Sequence, residues 1–255
     1  MSQLLDWRPA PGAAPRAQML RAQAGMELRL TLRNLEQVGL TLVLPLLLTV
    51  VLNLPGLYSL DGRRIDFVVP SVIALCVLSA SFTGLAIGTG FERKYGVLKR
   101  LGATALPRPV LISGKLAAVL MLEAIQLVLV STLGLVLGWH PHGDPLLAVM
   151  LVVLGSAALA GLGLLLAGTL RAEVTLAAAN LLWFVLLFSG GIAIPLSRFP
   201  NGVASVLRLT PAAALSDGLH SVLQDGSGLP VGPTLVLAVW AAAALAAAAR
   251  WFRWE

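Results

Sequence analysis

Charge and cysteine are what this chain has least of. Only 12% of its 255 residues are charged while 58% are apolar, and mean hydropathy is +0.88. That balance excludes an ordinary soluble domain, and the chain reads as an integral membrane protein. Its single cysteine, Cys76, lies in an apolar run, which excludes an intrachain disulfide and a multi-cysteine metal site; the residue reads as a small buried hydrophobe. Aromatics are sparse at 6%, and no soluble basic segment is long enough to carry a nucleic-acid partner. The net charge of +6 therefore points to membrane orientation. A phosphate-cradling Gly-x-x-x-x-Gly-Lys-Ser/Thr loop is also missing: Gly114-Lys115 is followed by Leu116, and Pro109 stands where the first glycine belongs. The chain cannot hold ATP that way. No Ser/His/Asp or Cys/His set suggests hydrolysis. His140, His142 and Asp144 in WHPHGDP are metal-ligand types, but Pro141 and the short connection favour a polar tight turn.

What the sequence has is long apolar runs. A helix needs roughly 20 of these residues to cross a bilayer core, and six segments qualify: 38–57, 67–90, 114–138, 146–170, 174–195 and 231–249. The last is short and Ala-rich. With the N-terminus inside, fourteen of the eighteen Lys and Arg residues fall on inner connections, which fits six crossings with both termini cytoplasmic. Residues 1–18 lack an apolar core and read as a flexible leader, leaving 19–255 as the transmembrane domain. In 19–37, Met19, Met26, Leu30 and Leu35 recur near helical spacing beside Arg21, Arg29 and Arg33. This predicts an interfacial helix that meets membrane lipid. Between the last two crossings, Leu215, Leu219 and Val222 predict a short amphipathic helix at or in the outer surface. Gly190, Gly191, Pro195 and Pro200 predict a break before it.

The stretch FERKYGVLKRLGATALPRP, residues 91–109, places a cluster of cations between two apolar runs. On a helical wheel Tyr95, Val97, Leu98 and Leu101 share one arc. Glu92, Arg93, Lys99 and Arg100 share the other, and Lys94 intrudes on the apolar side. Two readings stand: a ridge that docks into a groove of another protein, or a positive-inside loop whose Tyr and Leu residues lie against the bilayer. Within the crossings, Glu123 is eight residues beyond Lys115, roughly 10 to 14 Å into the core at 1.5 Å per residue. A carboxylate there faces protein or water, and Gln126 shares its face. The pair reads either as a polar pathway lining or as a structural contact. Gly84/Gly88 and Gly134/Gly138 have close-packing spacing, a weak signal among 25 glycines.

The order of these features resembles the membrane subunits of ABC-2 type exporters, a family that includes drug-resistance, lipid-export and polysaccharide-export permeases. Glu92, Arg93, Gly96, Leu98, Leu101, Pro107, Gly114 and Lys115 match one pattern. FSGGIAIPLSRFP (188–200) with LTPAAALSDGL (209–219) matches a second. The resemblance implies an all-α, six-helix permease of the bacterial inner membrane that forms a homodimer or heterodimer. It implies a separate ATP-hydrolysing subunit, which binds ATP and magnesium while this chain needs no cofactor. Residues 92–101 would be the coupling helix, with Glu92, Arg93, Tyr95, Leu98, Arg100 and Leu101 meeting that subunit. Val97 departs from the polar residue many members carry. Asn180, Trp183 and Phe184, on the fifth crossing, would line the substrate pathway between two permease copies, where aromatics stack on a lipophilic cargo or simply pack; Glu123 and Gln126 join that pathway on the first of their two readings. A hydrophobic drug-like or lipid-like cargo is expected, with a polysaccharide or lipid-linked glycan as the alternative. An ion-coupled transporter would show inverted repeats and charged pairs at mid-membrane; neither stands out. A non-transporting scaffold remains a rival.

Overall fold

A computed structural model describes residues 14–34, 39–54, 63–104 and 106–252, and all its regular elements are helices. Helix α1 covers Arg16–Arg33. A π-helical turn, Gly39–Val43, leads into α2, Leu44–Asn53. Then α3 (Arg64–Val77), a π segment (Leu78–Gly84) and α4 (Leu85–Lys94) form one continuous rod. The short α5 (Val97–Gly102) precedes α6 (Arg108–Val136), α7 (Pro145–Thr169) and α8 (Ala172–Ser189). Two small helices, α9 (Asn201–Leu207) and α10 (Pro211–Leu223), come before α11 (Val231–Trp251).

Five of these are long and apolar enough to cross a membrane: 64–94, 108–136, 145–169, 172–189 and 231–251. They correspond to the second to sixth predicted crossings with shifted ends. The first predicted crossing is present as a shorter apolar helix, Thr41–Asn53, and its outer limits, Val38 and 55–57, lie outside the described residues. Leu35, expected on the interfacial helix, and residues 1–13 of the expected leader also lie outside them. The fifth crossing stops at Ser189 instead of Pro195, because Gly191 takes a left-handed turn (φ 69°).

The 64–94 rod is the central post, with 78% of its apolar window buried inside the protein, against 17% for α8. Lipid is as apolar as leucine, so helices here associate by close packing and internal hydrogen bonds rather than by escape from water. The α7–α11 contact shows the first of these: a Cβ on Gly161 would lie 2.7 Å from Ala244 Cβ and 2.8 Å from the Leu245 nitrogen. Helix α10 goes deeper than a surface helix, since Leu215, Leu219 and Val222 are fully buried. Its His220 ring is 3.2 Å from both Ser71 Oγ and the Phe67 carbonyl oxygen, and stacks on Phe67 with centroids 4.7 Å apart. These contacts fasten α10 to α3. The tight turn expected at WHPHGDP ends in a helix cap, with Asp144 accepting from the Leu146 amide at 2.8 Å.

Gly161→Leu should therefore force α7 and α11 apart and cost about 1–3 kcal/mol. A thermal melt of purified protein in detergent checks this, with Gly232→Leu, whose Cβ meets nothing within 4 Å, expected to melt like the parent.

Candidate functional site

Two features stand out: a charged junction at the Lys/Arg-rich end of the bundle, and a run of cavities leading away from it. At the junction Lys115 is 3% exposed, and its Nζ lies 2.7 Å from Glu27 Oε1 and 2.8 and 2.7 Å from the two Glu92 oxygens. Gln23 donates to the same Glu27 oxygen at 2.9 Å. A buried ammonium is tolerable only when paired in this way. Gly114, beside it, lets α1 approach: a Cβ there would sit 2.6 Å from Gln23 Cγ. The Gly-Lys pair thus binds the N-terminal helix to the bundle, with Glu27 as the partner that the sequence reading did not identify. The helical periodicity of α1 was legible, but nothing local links Glu27 to a lysine 88 positions away.

The next residues reach other helices. Arg93 donates to the Leu170 carbonyl, capping the end of α7, and Lys94 pairs with Glu173 at the start of α8. Gly96, at φ 71°, turns the chain between α4 and α5. Tyr95 is 67% exposed and Val97 38% exposed, and Arg100 is exposed as well. Leu101 is half-buried. Leu98 requires a correction. Expected on an outward docking ridge, it is fully buried in a cluster with Leu85, Leu111, Leu164 and Phe252. The wheel placed Leu98 beside Tyr95, but Gly96 breaks the helix between them, so the two side chains do not share one continuous face.

The cavities follow one flank of the central rod. The first, about 300 Å³, includes Glu27, Glu92 and Lys115 in its wall. The second, about 690 Å³, shares Asn34, Thr41, Ser79, Gly84 and Gly88 with the first, and brings together Gln126, Asn180, Trp183 and Phe184. A third, about 340 Å³ and mostly apolar, continues past Trp183 to Phe188 and Ile192. Trp183 and Phe184 meet edge to face at 4.9 Å, and Trp183 Nε1 donates to Ser79 Oγ at 3.1 Å. Gln126 donates to the Thr41 carbonyl at 2.6 Å, leaving its buried Oε1 without a partner.

Glu123 does not join the other four pathway candidates on the large cavity. It is 2% exposed and accepts from Ser81 at 2.6 Å and from Ser156, next to a void of only about 10 Å³. The two serine contacts of the π segment reach different helices: Ser79 serves Trp183 on α8, and Ser81 serves Glu123 on α6. Such π turns often mark functional positions.

The profile of the family described as ABC-2 family transporter protein matches residues 50–250. The chain belongs to that family. No curated protein matches its sequence. As an ABC-2 protein it is a multi-pass membrane component of an ABC transporter, and membership implies partnership with an ABC ATPase subunit. The matched range contains the 92–102 segment, the central rod and the Trp183 side of the second cavity, whereas all of α1, with Glu27, and the wall of that cavity formed from residues 34–48 precede it.

Replacing Lys115 with Met should leave Glu27 and Glu92 facing each other unpaired. We expect a loss of about 3 kcal/mol, the low end for a broken buried pair because both carboxylates keep some solvent contact. Adding Glu27→Gln and Glu92→Gln to Lys115→Met should recover most of it in the same thermal melt; no recovery would remove the ion pairs from the account.

Proposed function

We propose that this chain is the permease subunit of an ATP-driven exporter that carries a hydrophobic, drug-like or lipid-like cargo out of the cytoplasm or its inner leaflet. Six crossings place both termini and the 92–102 segment on the cytoplasmic side of a bacterial inner membrane. A separate ATPase subunit, loaded with ATP and magnesium, docks on that segment, and two permease copies or two related permeases flank the cargo path.

The observation that carries the reading is the connectivity of residues 92–98. Within seven residues the chain grips α6 through Glu92, and α1 beyond it through the shared Lys115, the end of α7 through Arg93, the start of α8 through Lys94, and the bundle core through Leu98. A push on this segment reaches four helices through short-range contacts, as a coupling element requires. The contact surface for the ATPase is then Tyr95, Val97 and Arg100 with the exposed part of Leu101, while Leu98 anchors the segment from within. Glu92 and Arg93 act as the hinge that passes the motion inward. Gln126, Asn180, Trp183 and Phe184 line the cargo path. The wide apolar wall of the second and third cavities favours a lipophilic cargo over a glycan. Glu123 stands behind that wall and holds Ser81 and Ser156 in place.

Tyr95→Ala combined with Arg100→Glu should lower capture of the ATPase subunit by the tagged permease at least tenfold without moving its melting temperature. Unchanged capture would contradict docking at this segment. Leu98→Asp is unsuitable for this test, because it places a carboxylate in the core.

A further inference from the structure

We infer that the first two cavities together form a binding site for a lipophilic monocation, with its ammonium group at the charged junction and its apolar tail toward Trp183. The inference rests on the export reading of the same cavities and names the chemistry of their ligand.

Three observations converge. First, the ionisable side chains on the first cavity are Glu27, Glu92 and Lys115, which together carry one net negative charge when ionised. The lysine is withdrawn at 3% side-chain exposure, while Glu27 and Glu92 keep 16% and 26%. The charge a ligand meets is therefore carboxylate. Second, the same wall holds a hydrogen-bonding group with nothing to bond. Thr89 is 1% exposed, lines this cavity, and its Oγ1 has no partner. It lies one turn before Glu92 on the same helix face. A buried hydroxyl left unpaired costs free energy that a ligand N–H can return. Carboxylate oxygens and an orphaned hydroxyl together select a cationic donor, and an anionic head would meet like charge.

Third, the cavity opens into an apolar one along the same flank. Gly88 and Gly84 belong to both walls. From Lys115 to Gln126 the α6 axis advances about 16 Å at 1.5 Å per residue, room for a medium alkyl chain or a fused ring system. Trp183 and Phe184 stand at the far end. A polar charged end joined to an apolar, aromatic-lined one matches an amphiphile, not an ion or a sugar.

Gly88 gives a clean block. It is helical, and a Cβ added there meets nothing within 4 Å, so Gly88→Leu extends its side chain from an open position on the wall that both cavities share. The full-length permease, reconstituted in phosphatidylglycerol nanodiscs, is photolabelled with a diazirine analogue of dodecylamine or with the matching dodecanoate, and labelled peptides are mapped by mass spectrometry. The amine should label residues 84–92 or 115–126 at least tenfold more than the acid does. Gly88→Leu should remove at least four fifths of that signal, and Thr89→Val should lower it severalfold, both at unchanged melting temperature. Equal labelling by amine and acid, or full labelling of Gly88→Leu, overturns the inference. Adding lysyl-phosphatidylglycerol, a membrane lipid of net positive charge, separates the natural sources: competition identifies a cationic membrane lipid, and no competition identifies a free lipophilic amine. The assay contains no ATPase, so labelling succeeds or fails independently of whether the chain captures one.

Discussion

The structure turns on one buried ammonium. Lys115 sits where the apolar bundle begins, and its charge can be kept there only by anions brought to it. Glu27 and Glu92 supply them from two different helices. That requirement fixes α1 against α6, fixes the end of the central rod, and sets the sign of charge lining the first cavity. Gly114 is part of the same solution, since any side chain there would hold α1 away.

From that point the rod distributes constraint in both directions. Toward its end, Arg93, Lys94 and Leu98 connect it to α7, α8 and the core within a few residues. Along its length the π segment carries two serines, two positions apart, that bond Trp183 on α8 and Glu123 on α6. Closely packed interiors respond to small displacements by switching arrangement more readily than by stretching. On the proposed reading, this is how closure of an ATPase beneath Tyr95 reaches the Trp183 cavity.

Much of this was legible in the residues. Apolar run length located the five long helices with ends shifted by up to six positions, since the bilayer sets the length of the run while the caps set where the helix stops. The family resemblance picked out Glu92, Arg93, Gly114 and Lys115 without linking them to one another. Other features were not legible, for identifiable reasons. A helical wheel ranks residues by angle but assumes one unbroken helix, so it could not show that Gly96 turns Leu98 into the core while Tyr95 stays outside. Pairing of Glu27 with Lys115 depends on tertiary approach. The π segment has no side-chain signature of its own, and without it neither Ser79 nor Ser81 stands out. Gln126, Asn180, Trp183 and Phe184 do share a cavity, whereas Glu123 is held by Ser81 and Ser156 beside a separate small void that Gln126 also lines.

The central claim is that the segment hung from Lys115 is the grip for an ATP-hydrolysing partner. A photoreactive amino acid installed at Tyr95, in membranes containing both proteins, tests it most directly. Irradiation should give a covalent adduct between this chain and the ATPase, and the same group placed at Val239 on the outward face of α11 should give none. Adducts from Tyr95 to lipid alone, with the ATPase present and active, would contradict the account.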